Sequence, residues 1–513
     1  MDFNLTSQLS AVSLTFVIGL LTYRSLSGSA KRYPPGPRRL PIIGNLHQVP
    51  TKHPWLVFSE WNKVYGGIIY LDTMRGSMMA INSAEIAKDL LDKRSAIYSD
   101  RPVSVTLSFS VGFSELFSLR PYGSEGWRKQ RKIVSQDVSS SKITRYYSLQ
   151  ESKAAALIDH LLKDSTVLRK KVQLYVGSII FRVAYGYHVT SMDDKMLTEP
   201  LNMMNQLGKT TAPGNFLVDF IPPLKYVPRW MPGFGFLKVA DQWRVQLHNT
   251  AFNPYMWCKN NLETGKTLMP NLCGSIIQDA GGQLSESDEH ALIWAALTMF
   301  GGGLDTNTSL TLTFIMTMIR NPAVQKKAQA ELDSVVGKDR LPTISDRPQL
   351  PYTRSVLAEV LRWGPPAPLS IPHATSTDDT YNGYFIPKGT IIFPNIWHML
   401  HDPNVYANPM EFDPDRFGGD DAQMDKAKDL VFGFGRRYCP GKEFAEGTLF
   451  AIISTMLATC DLFPGLDEHG KEVRPEYAYT NGLATFPEAF SLRVKARSPQ
   501  ATALLSDASV IVE

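Results

Sequence analysis

The sequence predicts one large, mainly α-helical domain with a small β-sheet region near its N-terminus, an α+β fold. Three observations support this prediction. The 513 residues are 43% hydrophobic and 20% charged, enough to bury a large core. Apolar residues recur with helical spacing along most of the chain, whereas strand-like runs are few and short. No linker, repeat or low-complexity tract interrupts residues 45–498. One domain is therefore favoured over the ~3 domains that length alone suggests.

The N-terminus is predicted to be a membrane anchor. Residues 3–23 carry no charged side chain, and with their polar first turn they reach the ~20 residues that a bilayer requires. Basic residues follow this run and none precedes it, so residues 1–24 should span the membrane with the body in the cytosol. An interfacial or signal helix is the alternative. Residues 25–44 form a basic, proline-rich hinge, in which Pro34-Pro35-Gly36-Pro37 favours an extended spacer.

The helices of the domain are predicted from their apolar periodicity. They cover residues 84–91, 125–138, 151–163, 172–185, 237–263, 287–320, 323–336, 351–362 and 442–460. Strands are predicted at residues 67–72, 77–81, 384–386 and 390–394. Residues 499–513 are predicted to be a C-terminal tail.

Charge and cysteine content exclude some classes of function. A net charge of +4 is too small and too dispersed for a surface that binds nucleic acid. Four cysteines without a short paired spacing indicate a reducing compartment and neither a disulfide framework nor a zinc site.

The most informative stretch is the cysteine loop, residues 432–441. Gly433 and Gly435 allow the backbone to approach a flat partner closely. Cys439 precedes a helix whose first residue is predicted to be Pro440, so the positive helix end should favour a metal-binding thiolate. A buried structural cysteine at a helix start is the alternative reading.

The cysteine loop resembles the haem-ligand signature of the cytochrome P-450 superfamily, Phe-x-x-Gly-x-Arg-x-Cys-x-Gly. All fixed positions match, at Phe432, Gly435, Arg437, Cys439 and Gly441. The resemblance covers nearly the whole chain after the anchor and implies the cytochrome P-450 fold. It implies haem b with Cys439 as the axial iron ligand, Arg437 at a haem propionate and Phe432 beside the sulfur.

Two further groups of residues match positions that the superfamily uses. Glu359 and Arg362 lie on one helix face, and Arg416 can complete a Glu-Arg-Arg network. The resemblance gives this network a structural role; a solvated surface pair is the alternative. Trp127, Arg131 and His373 resemble haem-propionate contacts of the family, and their alternatives are a surface aromatic residue beneath an arginine and a core histidine.

The apolar helix over residues 287–320 has an unusual centre. Gly301-Gly302-Gly303 should weaken the helix and let it open, and Asp305 and Thr306 place polar groups in a core. The stretch resembles the family's oxygen-binding motif, which implies that Asp305 and Thr306 relay protons. Asn307 replaces the usual Thr or Ser, and an internal cap at a helix kink is the alternative.

The substrate is predicted to be neutral and lipophilic. Residues 102–114 carry no charge, and residues 216–236 are rich in aromatic residues and prolines. By resemblance both segments border the pocket, although the second could instead dip into a membrane. An uncharged lining has no group to hold a carboxylate or a phosphate. The resemblance implies that the pocket is lined by Met299, Phe300, Gly303, Leu369 and Leu483.

Residues 33–50, 371–377 and 384–389 resemble fungal, particularly basidiomycete, microsomal members akin to O-methylsterigmatocystin oxidoreductase. This resemblance implies monooxygenation of a secondary metabolite or a xenobiotic at the endoplasmic reticulum membrane. The electrons would come from NADPH through cytochrome P-450 reductase, with cytochrome b5 as a further candidate partner. Candidate reductase contacts are Arg128, Lys129, Lys132, Arg436 and Lys442. The alternatives are a haem-thiolate isomerase, dehydratase or peroxide-driven enzyme, and a membrane haem sensor or carrier.

Overall fold

The computed structural model describes residues 31–73, 76–102, 111–211, 218, 222–228, 231, 235–266 and 269–510. The predicted anchor, residues 1–24, lies outside this part of the chain, as does most of the two predicted pocket-bordering segments. Within the described part, no helix is both long and apolar enough to cross a membrane.

The chain is mainly helical, as predicted. The α-helices are α1 (Pro54–Tyr65), α2 (Ala84–Ala87), α3 (Ser95–Tyr98), α4 (Glu125–Asp137), α5 (Tyr147–Lys163), α6 (Leu168–Tyr185), α7 (Lys195–Thr211), α8 (Gly235–Glu263), α9 (Leu272–Asp279), α10 (Glu286–Arg320), α11 (Pro322–Val335), α12 (Pro351–Trp363), α13 (Ile396–Leu400), α14 (Asp421–Val431), α15 (Lys442–Thr459) and α16 (Pro499–Val510). A π-helix, Lys88–Lys93, follows α2 directly.

Every predicted helix is present, with ends that differ by a few residues. Residues 84–91 were predicted as one helix and instead divide between α2 and the π-helix. Several shorter or more polar helices were not predicted. In α14 the buried apolar residues are Met424, Ala427 and Leu430, a stripe too thin to recognise in the sequence.

The strands are β1 (Ile68–Thr73), β2 (Gly76–Ile81), β3 (His373–Ala374), β4 (Asp379–Tyr381), β5 (Tyr384–Ile386), β6 (Ile391–Pro394), β7 (Cys460–Leu466), β8 (Glu472–Val473) and β9 (Leu492–Ala496). One sheet has the order β1-β2-β6-β3, and β2 pairs in parallel with β6 from Met78↔Ile391 onwards. A three-stranded sheet, β8-β7-β9, lies near the C-terminus. The prediction of a single sheet region near the N-terminus was therefore incomplete, because short strands give little signal.

The described part of the hinge lies against the domain. The Pro35 carbonyl accepts a hydrogen bond from the Tyr70 amide at 2.8 Å, and the Arg32 carbonyl accepts one from Phe385 at 2.7 Å. A Cβ atom at Gly36 would overlap the Tyr70 carbonyl oxygen, so this contact requires glycine. Residues 32–36 thus make hydrogen bonds and close contacts with the folded body.

Helix α10 runs through the core and sets the position of the site. Its N-cap is Ser285, whose hydroxyl accepts the Asp288 amide, and its last residue is Arg320, two residues before Pro322. Its apolar surface packs against α4, α6 and α15. The predicted C-terminal tail mostly forms α16, which packs on α5 with Leu505 fully buried.

Candidate active site

The cysteine loop is fixed by its own backbone and by the π-helix beside it. The Cys439 amide donates to the Phe432 carbonyl at 2.8 Å and closes the loop. Gly433 and Gly435 have φ angles of +90° and +50°, which favour glycine. A Cβ atom at Gly435 would also overlap the Leu91 carbonyl oxygen of the π-helix. The two glycines therefore allow the tight, bulged backbone that the sequence predicts.

Cys439 differs from the other cysteines in its accessibility. It is half-buried, whereas the other three are buried: Cys258, Cys273 and Cys460. Burial raises the pKa of the Cys439 thiol, and the Gly441 amide and the Arg131 guanidinium act against this rise. Helix α15 begins at Lys442, so the prediction that Pro440 is its first residue was wrong. The sequence predicted a thiol that ionises readily, and in the protein alone its pKa is raised instead. A bound metal ion would deprotonate a coordinating thiol.

Three guanidinium groups lie together near the cysteine loop: those of Arg101, Arg131 and Arg437. None of them is within salt-bridge distance of a carboxylate in the described part of the chain. Arg437 donates to three backbone carbonyls at 2.6–3.0 Å, Arg101 to three at 2.7–2.8 Å and Arg131 to one at 2.8 Å. The nearby Asp100 carboxylate accepts the backbone amides of Arg101 and Tyr122. Burial lowers the pKa of all three arginines, that of Arg437 to about 10.

Trp127 and His373 lie in the same cluster. The Trp127 indole Nε1 is buried without a hydrogen-bond partner, and the Arg437 guanidinium lies 5.2 Å from the ring centre. His373 Nδ1 is 2.8 Å from the Tyr98 carbonyl oxygen and must be the donor, because a carbonyl only accepts. Burial and the Arg101 charge lower the pKa of His373 well below its usual value. An unpaired N–H beside buried cations fits the two carboxylates of a haem.

The three central glycines of α10 face different neighbours. A Cβ atom at Gly301 would lie 3.0 Å from Met204 Sδ, and one at Gly303 would lie 2.9 Å from Ile180 Cδ1. Gly301 and Gly303 therefore let α7 and α6 pack closely on α10. A Cβ atom at Gly302 would meet no atom within 4 Å, and this residue is exposed although its helix crosses the core. Of the three, Gly302 is the one that opens the helix surface.

The polar groups after the glycines bond back to the helix. Thr306 Oγ1 donates to the Gly302 carbonyl and Asn307 Nδ2 to the Gly303 carbonyl, both at 2.7 Å. Helix α10 is continuous through this region, so the glycines do not open it as expected. The Thr306 hydroxyl donates its hydrogen to a carbonyl of the helix, so its oxygen can still accept a hydrogen bond from another group. Asn307 Oδ1 is buried without a partner.

Asp305 is half-buried near a charged residue of α6. Burial raises the pKa of Asp305 to about 6, and the positive charge of Arg169 acts in the opposite direction. The Arg169 guanidinium stacks on the Phe486 ring at 3.7 Å from its centre. Asp305 accepts no hydrogen bond within the described part of the chain. A carboxyl group with this pKa can both take up and release a proton near neutral pH.

The residues predicted to line the pocket do not all lie on one surface. Phe300 is buried with its ring 4.9 Å from Phe181 of α6, and Gly303 also faces α6, so both face away from the side of α10 on which Gly302 is exposed. The reason is the helical repeat, which turns neighbouring positions by about 100°. Met299, Leu369 and Leu483 are half-buried, as residues that border a pocket should be.

The predicted ion network is present, with Glu359 and Arg362 fully buried and Arg416 half-buried. Glu359 accepts Arg362 Nε at 2.7 Å, Arg362 Nη2 at 2.9 Å and Arg416 Nε at 3.1 Å. Glu359 and Arg362 have no exposed side-chain surface. The remaining donors of both arginines bond to backbone carbonyls, so the network joins α12 to the segment before the cysteine loop.

Two charged residues of the site, Arg101 and Arg169, were not predicted from the sequence. Gly302 was noted only as part of a motif and not as the exposed position of α10. Arg101 stands beside Pro102 at the start of an uncharged stretch, and this isolation was a signal that could have identified it. Arg169 gave no local signal, because only the fold brings it to Asp305. Gly302 could have been identified from its helical spacing to Met299 and Thr306.

The chain was compared with known proteins. A sequence profile described as Cytochrome P450 matches residues 34–488. Cytochrome P450 monooxygenase 105 of Postia placenta is 48% identical over 504 residues, 98% of this chain and 96% of that protein. Cytochrome P450 monooxygenase claR of Ampulloclitocybe clavipes is 37% identical, over 97% of this chain and 93% of that protein.

Among solved structures, a zebrafish cytochrome P450 with abiraterone has the same fold. The TM-score is 0.70 at 23% identity, and the match covers 87% of this chain and all of that chain. The profile and the relatives extend over the cysteine loop, the arginine cluster and the central part of α10. The chain belongs to the cytochrome P450 family and is a haem-dependent monooxygenase.

Proposed function

We propose that the enzyme inserts one atom of dioxygen into a neutral lipophilic molecule, either a secondary metabolite such as a terpenoid or polyketide or an aromatic xenobiotic. The observation that carries this proposal is the open face of α10. Met299, Gly302 and Thr306 succeed one another there at spacings of three and four residues, which puts them on one side of the helix. None of these residues is charged, so the face suits an apolar substrate and offers no partner to an ionic one.

The chain would hold its haem through one thiolate and a set of buried and half-buried donors. The thiolate is that of Cys439, and the donors for the propionates are Trp127, Arg101, Arg131 and Arg437. When bound, the haem supplies the iron chemistry that activates dioxygen. His373 can donate to a propionate only as an imidazolium, which the propionate charge favours and the neighbouring arginines oppose. We therefore assign Arg101 a larger share of propionate binding than His373.

Asp305 and Thr306 form a route for protons from solvent to the open face. Arg169 is exposed at the start of α6, and its positive charge favours the ionised form of Asp305. The Asp305 pKa of about 6 suits proton transfer near neutral pH. Thr306 is turned toward the open face with its hydroxyl proton on Gly302. It can accept a hydrogen bond from a proton donor there and hold that donor in place.

Electrons come from NADPH through cytochrome P450 reductase, with cytochrome b5 as an alternative donor. The partner surface lies around the cysteine loop, where the exposed cations are Arg128, Lys132 and Arg436. Lys129 and Lys442 are already paired with acidic residues of this chain and contribute less. We place the enzyme at the endoplasmic reticulum, held by residues 1–24 with the domain in the cytosol.

The test is reconstitution of the purified full-length protein with a fungal cytochrome P450 reductase, NADPH and dioxygen. A panel of neutral terpenoids, polyketides and aromatic compounds is analysed by mass spectrometry, with ¹⁸O₂ to trace the inserted atom. We expect singly oxygenated products that carry one ¹⁸O and require every component. Turnover without reductase or oxygen would contradict the proposal, as would a preference for carboxylate substrates.

A further inference from the structure

The hairpin that carries Leu483 has a firmly bound base. Thr480 and Phe486 are joined by an amide-to-carbonyl bond of 2.8 Å. The Ser309 hydroxyl of α10 donates to the Thr485 carbonyl at 2.6 Å, and the Thr485 amide donates to the Pro366 carbonyl at 2.9 Å. The base is therefore fixed to α10, three residues after Thr306, and to the segment that follows α12.

The tip of the same hairpin is held from the other side by a segment more than 420 residues earlier. Asn481 Oδ1 accepts the His53 amide at 3.1 Å, and Asn481 Nδ2 donates to the Thr51 carbonyl at 2.7 Å. His53 Nε2 donates to the Tyr479 carbonyl at 3.0 Å. One carboxamide thus uses its acceptor and its donor on the same short backbone segment. Aspartate could not do this, because it has no donor.

Residues 51–53 are in turn fixed to the sheet side of the domain. His53 has a left-handed conformation with φ of 41° at the start of α1, and its ring lies 5.1 Å from that of Trp55. Helix α1 packs on β1, and its Phe58 belongs to the apolar cluster that Leu369 contacts. Helix α1 is therefore close to both pocket-bordering segments, the one with Leu369 and the hairpin with Leu483.

We propose that His53 and Asn481 are positioning residues that hold the hairpin tip, residues 481–484, in the wall of the substrate pocket and so determine which lipophilic molecules the pocket accepts. This inference rests on the proposed function. The hydrogen bonds are at the protein surface, where Asn481 and Thr51 are exposed, and Gly482 at the tip has φ of +149°. Such bonds contribute modestly, so the loss of one should change the affinity for a bulky ligand by about two- to tenfold.

The experiment uses ligands that bind the haem iron through an azole nitrogen, so it needs no turnover. Full-length holoenzyme is titrated with 4-phenylimidazole and with the bulkier clotrimazole, and the two dissociation constants are read from the Soret shift. We expect His53→Ala and Asn481→Ala to change the ratio of the two constants by about two- to tenfold. His53→Gln retains a side-chain N–H donor for the Tyr479 carbonyl and should therefore keep the wild-type ratio. The change in the double variant should be smaller than the product of the single changes, because the two residues hold one tip.

Asn481→Asp keeps the shape of the side chain and its acceptor for the His53 amide but loses the donor to the Thr51 carbonyl, so it should change the ratio in the same direction as Asn481→Ala. His469→Ala, at a histidine whose side chain is 81% exposed, is the matched control and should leave the ratio unchanged. Limited proteolysis should cut within residues 481–484 faster in the variants than in the control. If both constants moved by the same factor, or if only thermal stability changed, the residues would be structural and the inference wrong. Azole binding without product formation in the reconstituted system would contradict the proposed function, whereas an unchanged ratio of the two constants in an active enzyme would contradict this inference alone.

Discussion

Cys439 is the residue on which haem binding depends most directly. We predict that Cys439→Ser abolishes monooxygenation, because a hydroxyl does not replace the charge that a thiolate donates to iron. The reduced carbon monoxide complex of the wild type should show the red-shifted Soret band of thiolate ligation, and the variant should lack it. Cys460→Ala, at a buried thiol outside the site, should retain that band. A variant at Cys439 that kept the band would exclude this residue as the ligand.

Thr306 is predicted to place a proton donor on the open face of α10. In Thr306→Ala, product formation should fall more than NADPH consumption, and the missing electrons should be recovered as hydrogen peroxide. Proton assistance of this kind is worth ~10²–10⁴-fold, and water can partly replace a lost hydroxyl, so we expect the lower end or less. Thr306→Ser, which keeps the hydroxyl, is the control. An unchanged ratio of product to NADPH in the alanine variant would reduce Thr306 to a helix cap.

Asp305 should give the reaction a pH dependence. Its pKa of about 6 means that the neutral, proton-donating form declines as the pH rises through 6. We expect the rate of product formation by the wild type to fall over the same range. The Asp305→Asn variant should form product slowly, at a rate that does not change with pH. The measurement is the saturated rate between pH 5 and 8, with Asp279→Asn, at an exposed carboxylate, as the control.

The same shift predicts a stability effect, which gives a second measurement. The folded state raises the pKa of Asp305 from 3.8, so folding favours the protonated form. This contribution to the free energy of unfolding is fully present below pH ~4 and is lost as the pH rises through 6. The difference in unfolding free energy between wild type and Asp305→Asn should follow that curve. A constant difference would mean that Asp305 keeps its ordinary pKa.

At the residue scale, the sequence predicted side chains whose chemistry lies in short motifs. Cys439, Thr306 and the Glu359 network could be found because their neighbours in the chain identify them. Arg101 and Arg169 could not, since their partners come from distant segments. The sequence did not predict that Phe300 packs against α6. Neighbouring helix positions point about 100° apart, so a shift of one residue turns a side chain from one surface of the helix to another.

At the scale of elements, the buried Glu359 joins α12 to the segment before the cysteine loop. We predict that Glu359→Gln lowers the free energy of unfolding by about 3–5 kcal/mol, because Arg362 and Arg416 would lose the charge that they share. Denaturant unfolding followed by circular dichroism measures the loss. Glu60→Gln breaks a pair with Lys63 whose side chains are both 70% exposed. It should cost less than about 1 kcal/mol, and equal losses would contradict the internal role.

Long, strongly periodic helices were predictable at this scale, including α8 with its internal Pro254, and several others were not. Helix α10 has an apolar run that only a core helix explains, whereas α7 contains Pro200 and resembles a loop in sequence. Strands β3 and β8 have two residues each, too few for an alternating pattern. Their pairing depends on contacts made elsewhere in the fold.

At the scale of the whole molecule, we predict that deletion of residues 1–24 releases most of the protein from membranes and leaves the haem spectrum unchanged. The residues that we assign to haem binding lie between Arg101 and Cys439, so none of them is removed by this deletion. Flotation of membranes from cells that express each form gives the bound fraction. Some residual association through residues 216–236 is expected. A truncated protein that binds haem poorly would show that the segment belongs to the fold.

The parallel pairing of β2 with β6 also has a consequence for synthesis of the chain. Met78 pairs with Ile391, so about 310 residues must be made after one strand before its partner exists. At ~5–20 residues per second, this takes roughly 15–60 s. During that time the exposed edge of β2 can pair with other chains unless a chaperone or an early helix covers it. Cys439 leaves the ribosome later still, so haem can be ligated only after both strands have been made.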